Sequence, residues 1–150
     1  MTPIPPWLRD FDGDMTTDDS AAILATVDEA GWPHVSYLSQ GEVLAHPGGI
    51  SIALWPQART TANIRRTGQA VLHVAADGAV WEARLHLAAR PETAASGLAL
   101  FDGEIRESRR HAAPYADVMA LVRFHPHDPG TTRQRWRDQL SELARVTPSP

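Results

Sequence analysis

The chain contains no cysteine, which excludes disulfide frameworks, thiolate metal sites and thiol nucleophiles. No apolar run is long enough to span a bilayer. There is no surplus of positive charge either: 14 Lys and Arg stand against 18 Asp and Glu, for a net charge of −4. Without a general basic field, nucleic-acid binding is not expected. The opening segment, "MTPIPPWLRDFDGDM", has neither a basic n-region nor an apolar h-region, so no secretory leader and no membrane association are expected. The cytoplasm is the expected compartment. GxSxG, GxGxxG and Walker motifs are all missing, and no residue stands out as a nucleophile.

Two partial motifs are also set aside. "DFDGDMTTDD" has the acidity of a calcium loop, but its Gly comes too early and Ala21 stands where a bidentate Glu is required. His125-Pro126-His127 has no third ligand nearby, so no metal site is expected.

What is present suits one soluble domain: 150 residues, 43% hydrophobic and 21% charged. Residues 1–19, rich in Pro, Asp and Thr, read as an arm anchored by Trp7, Leu8 and Phe11; residues 20–146 read as the domain. Strands are expected at 20–28, at "WPHVSYLS", at 41–45 and at 50–55. In the second of these His34, Ser36 and Leu38 share one face, and Val35, Tyr37 and Ser39 the other. Asp77-Gly78 marks a hairpin between "AVLHVAA" and "AVWEARLHLAA". Residues 91–110 read as helical from an acidic start, with Gly97 and Gly103 against it. A strand is expected within 115–126. "TTRQRWRDQLSELARV" reads as an amphipathic helix with Trp136, Leu140 and Leu143 on one stripe. Six or seven antiparallel strands in succession remove their edges by closing into a small barrel.

The segment "ALWPQARTTANIRRTG", residues 53–68, carries the chemistry. A strand gives way at Pro56 to a short helix over Thr60–Thr67, with Thr60 or Thr61 as expected N-cap and Gly68 as its stop. A helix N-terminus offers open N–H groups and partial positive charge to an anion. Arg59 adds a planar fork of donors, and Thr60 and Thr61 add hydroxyls. These residues predict a dock for a phosphate monoester; a capped helix with a solvated Arg is the competing reading. Arg65 and Arg66 are expected on a solvated helix face.

"ATVDEAGWPHVSYLS", "GEVLA" and "ISIALWPQARTTANIRRTGQAVLHV", in this order, resemble the pyridoxamine 5′-phosphate oxidase-like family of FMN-binding split barrels. The resemblance covers residues 21–90 and is only broad beyond. It implies a mainly β fold: a six-stranded antiparallel split barrel of the FMN-binding type, with flanking helices. It also implies a homodimer with FMN in a groove between subunits. Arg59 and Thr60 would then hold the FMN phosphate, supported by Thr61 and Asn63. Ser36, Tyr37 and Leu38 would run along the ribityl chain and ring edge, and Trp55 would lie near the isoalloxazine or on the path to the phosphate. Trp55, Tyr37 and Asn63 each have an ordinary packing or backbone-bonding reading beside this one. Arg84 and His86 lie on the polar face of their strand, and an approach to a cofactor held mainly by the other subunit is the second reading for them. Family members often carry Ser before this Arg and Lys in the phosphate loop; Ala58 and Thr60 stand here instead.

The function so implied is a flavin-dependent oxidoreductase acting on a small-molecule substrate. Arg133, Arg135 and Arg137 do not reproduce the C-terminal phosphate-binding pattern of the vitamin B6 oxidases. An F420-binding reductase, a non-catalytic flavin module and a cofactor-free dimeric module are the alternatives.

Overall fold

A computed structural model of the protein describes residues 20–47, 49–91 and 95–145. The expected arm at 1–19, with Trp7, Leu8 and Phe11, lies outside the described residues, as does position 146. Among the described residues there are eight strands: β1 (Ser20–Val27), β2 (Pro33–Leu38), β3 (Val43–His46), β4 (Gly49–Leu54), β5 (Gln69–Ala76), β6 (Ala79–Ala89), β7 (Ala99–His111) and β8 (Val122–Arg123). Helix α1 (Arg59–Thr67) joins β4 to β5, and α2 (Pro129–Leu143) follows β8. The strands pair antiparallel in the order β2-β1-β5-β6-β7-β4-β3, with β8 added to β1. The sheet curls into a half-barrel flanked by the two helices, which is the split-barrel fold. The six strands of six residues or more carry it; β3 has 4 residues and β8 has 2.

Turn chemistry explains the hairpins. Asp77 and Gly78 both have positive φ (52° and 74°), as a two-residue turn matched to strand twist requires. Between β1 and β2, Asp28 Oδ1 accepts from the amides of Ala30 and Trp32 (both 2.9 Å) and closes the turn.

Strand β4, "GISIAL", has no polar face because both of its faces are covered. Ile50, Ile52 and Leu54 point into the barrel core with Leu24, Leu38, Leu72, Leu85 and Phe101. Ala53 packs in a second cluster with Leu98, Leu100, Leu140 and Leu143, beneath α2. Trp136, Leu140 and Leu143 are the buried stripe expected of this helix. The helix begins at Pro129, two residues before the expected start. Asp128 caps it, accepting from the Thr131 amide (3.2 Å), and Pro at the first helical position loses no hydrogen bond.

The helical expectation for 91–110 is wrong over the described residues: 95–97 form a turn, and β7 runs from Ala99 to His111. β4 pairs with this strand on one side and β6 on the other. Two neighbouring ladders outweigh a weak local helix preference. At Gly103 a Cβ would stand 2.5 Å from the His86 carbonyl oxygen, so the glycine permits a close strand crossing.

Candidate functional site

Helix α1 starts earlier than the threonines suggest. Pro56 sits in a turn closed by the Ala58 amide on the Trp55 carbonyl (3.1 Å), which delivers the chain directly into the helix. Ala58 is the N-cap and makes no side-chain cap bond, so neither Thr60 nor Thr61 serves as the cap. Both fall inside the first turn, and both are buried.

Their hydroxyls bond inward. Thr60 Oγ1 donates to Ser36 Oγ on β2 (2.9 Å), and Thr61 Oγ1 donates to the Trp55 carbonyl (2.6 Å). One turn further, Asn63 Nδ2 donates to Thr26 Oγ1 on β1 (3.0 Å), and Asn63 Oδ1 accepts from Arg66 Nη1 (3.2 Å). Three polar side chains therefore tie α1 across the mouth of the barrel, while Ile64 fills the apolar core beneath. Arg66, expected on a solvated face, is exposed and also reaches the Val27 carbonyl.

The helix start remains open. Ala62 is the first helical residue whose amide donates within α1, to the Ala58 carbonyl (3.2 Å). The amides of Arg59, Thr60 and Thr61 have no acceptor among the described residues. Arg59 is exposed and makes no hydrogen bond or ion pair to a described residue. Trp55, just before the turn, is 59% exposed. On β2 the expected residues divide between faces: Ser36 turns toward α1, Leu38 is sealed in the core, and Tyr37 points outward at 54% exposure. Ser36, Trp55, Thr60 and Thr61 are thus joined by hydrogen bonds with Arg59 beside them. Leu38 has only its backbone to offer.

At the other end of α1 lies an open cleft of about 620 Å³, lined by Thr67, Gln69, Val71, Arg84, His86 and Arg106 among others. Arg106 Nη2 donates to His86 Nδ1 (3.1 Å), while Glu104 and Glu107 pair with Arg106 (3.0 Å) and Arg84 (3.5 Å). Arg84 and His86 share this cleft on the outer face of the sheet.

A third polar group was not visible in the linear sequence. Ser51 Oγ donates to Asp102 Oδ1 (2.6 Å) and lies 3.0 Å from His46 Nε2. These are the residue types of a hydrolytic triad, but Ser51 is fully buried and the carboxylate bonds to the serine rather than orienting the histidine. Arg90 shows the group is structural. It grips Asp102 through Nε (2.7 Å) and Nη2 (2.9 Å), and it donates to the carbonyls of Glu142 (3.2 Å) and Leu143 (2.7 Å) at the end of α2. Burial alone would raise the Asp102 carboxyl; hydrogen bonds from Arg90 and Ser51, with the Arg90 charge, outweigh it and hold the group below its usual 3.8.

Among the described residues, no group of three His, Cys, Asp or Glu is arranged to hold a metal ion, and no helix is long and apolar enough to cross a membrane.

No family model matches the chain. It is 37% identical over 128 residues to YclD of Bacillus subtilis (strain 168), an uncharacterized protein, and the match covers 83% of each chain. Among solved structures, HutZ, the heme storage protein of Vibrio cholerae, superposes with a TM-score of 0.52 at 14% identity, over 62% of this chain and 87% of that one. A candidate pyridoxamine 5′-phosphate oxidase from Listeria innocua gives 0.50 at 12% identity, over 61% and 87%. An F420 reductase gives 0.50 at 11% identity, over 61% and 90%. Such identities speak for the fold alone. The chain belongs to the family of YclD and has the split-barrel fold of the pyridoxamine 5′-phosphate oxidase-like proteins.

Proposed function

We propose that this protein is an FMN-binding, flavin-dependent oxidoreductase of the cytoplasm, acting on a small-molecule substrate as a homodimer. The observation that carries the reading is Arg59: an exposed guanidinium without a partner among the described residues, at the first turn of a helix whose leading amides also lack an acceptor there. Fixed donors and a free cation suit the terminal phosphate of a nucleotide cofactor. Thr60 and Thr61 would contribute to it through their amides, since their hydroxyls are already engaged. Those hydroxyls, with Asn63, keep the helix start from moving, so the donors are in place before the ligand arrives. Trp55 and Tyr37 offer exposed aromatic surface to the flavin side of the ligand, and the Leu38 backbone offers hydrogen-bonding groups along the strand.

FMN, when bound, supplies the electron and hydride transfer chemistry, which agrees with the absence of a side-chain catalytic group in this reading. The chain's part is to bind, orient and shield. A homodimer is supported by the outer face of β1 and β2. There Val27, Val35 and Tyr37 lie exposed beside Trp32, which is 70% exposed, more apolar surface than an isolated barrel usually shows.

Purified protein should carry flavin absorbance that is released on denaturation, and the bound flavin should be reduced by NADH or NADPH. Sedimentation should give a dimer at micromolar concentration. F420 is the second reading, favoured by the likeness to the F420 reductase and by the same anion site; its own fluorescence reports that binding directly. Protein that takes up neither cofactor would overturn both.

A further inference from the structure

The turn between β2 and β3 holds a carboxylate that the flavin reading leaves unused. Glu42 Oε1 accepts from the Ser39 amide (3.0 Å) and from the Ser39 hydroxyl (2.7 Å). Glu42 Oε2 has no hydrogen-bond partner, and Glu42 no ion-pair partner, among the described residues. Glu42 lines a cavity of about 290 Å³ where three parts of the fold meet. The turn supplies Ser39 and Glu42, the segment after β8 supplies Phe124, His125 and His127, and α2 supplies Trp136.

Closing the turn accounts for Oε1 but not for the charge, since a glutamine would accept the same two bonds. Burial raises the Glu42 carboxyl above its usual range, with the Ser39 bonds pulling only partly against it. Ionised carboxylates are seldom left partly buried without a counter-charge. Aromatic faces attract cations, and two aromatic side chains line the same cavity. His125 and His127 line the cavity, but neither forms an ion pair with Glu42, so the missing component is positive and partly apolar. A metal ion does not fit, because the described residues hold no set of three ligating side chains. The volume suits an amine of a few carbons.

We propose that this cavity binds a small organic ammonium ion, with its charge on Glu42 Oε2 and its alkyl chain against Phe124 and Trp136. The site is separate from Arg59 and does not depend on flavin binding.

The test is an NMR titration of the full chain with n-butylammonium chloride at matched ionic strength. The amide signals of Ser39 and Glu42 and the indole signal of Trp136 are followed. Saturable shifts are expected, with n-butanol binding roughly ten-fold more weakly or not at all. Glu42→Gln should weaken the ammonium ion by a similar factor while its turn signals stay near those of the parent. Phe124→Ala, at a partly exposed position, should weaken it by about three-fold or more. Absence of saturation, equal affinity for n-butanol, or unchanged affinity in both variants would overturn the proposal.

Discussion

At the scale of single residues, the site depends on where polar side chains spend their hydrogen bonds. Asn63 is the fullest case: buried, it donates to Thr26 and accepts from Arg66. Asn63→Ala would leave a buried threonine and a guanidinium short of a partner, and should cost about 1–3 kcal/mol in urea unfolding. Glu42 has the opposite character. Its folded-state value lies above 4.5, so protonation favours the folded chain, and that advantage fades as pH rises from 4.5 through the folded value. Glu42→Gln should therefore match the parent in unfolding below that range and exceed it at neutral pH. A variant weaker than the parent at pH 7 would show that the charge stabilises the turn. The residue types around α1 were readable in advance, and Arg59 was singled out from its place after a strand. The inward aim of the Thr60, Thr61 and Asn63 side chains was not readable. It depends on Ser36 and Thr26, which are distant in sequence and meet the helix only once the barrel has closed.

At the scale of elements, each helix is held by a different device. α1 is pinned by side-chain hydrogen bonds to β1 and β2. α2 is held by close packing and by Arg90, whose side chain is only 8% exposed. The turn before β3 passes so near α2 that a Cβ on Gly41 would stand 2.6 Å from the Trp136 Cα. Gly41→Ala should push the helix off and destabilise the fold by roughly 1–3 kcal/mol. Gly130→Ala, where the nearest atom is 3.8 Å away, is the control and should behave like the parent. Equal thermal unfolding of the two variants would mean that α2 docks too loosely for the approach at Gly41 to matter. Elements whose ends carry their own chemistry were legible: the hairpin at Asp77-Gly78, and α2 through its apolar stripe. β7 was not, because its partners lie far away in the sequence and its alternating charges, Glu104 and Arg106 among them, give no apolar period to read.

At the scale of the whole molecule, the neighbouring strands β4 and β7 meet at Asp102, where Arg90, Ser51 and the end of α2 converge. Because its folded-state value is depressed, Asp102 adds stability that is complete above 3.8 and is lost as pH falls through the lower folded value. Asp102→Asn should thus unfold more easily than the parent at pH 7, with the gap narrowing below pH 3.8; a gap independent of pH would remove the carboxylate from this role. The barrel was legible from strand count and turn spacing. The Arg90–Asp102 clasp was not, since nothing local marks two residues that pair only across finished strands. The proposed function rests on the open start of α1, and phosphate recognition is the property that this proposal requires of it. FMN and riboflavin differ by that phosphate, so the decisive measurement is flavin-fluorescence titration of both ligands into the parent and into Arg59→Ala. The account predicts that the parent prefers FMN over riboflavin by about ten-fold or more, and that the variant loses most of that preference while binding riboflavin as before. A parent that does not distinguish the two ligands, or a variant that keeps the full preference for FMN, would contradict it.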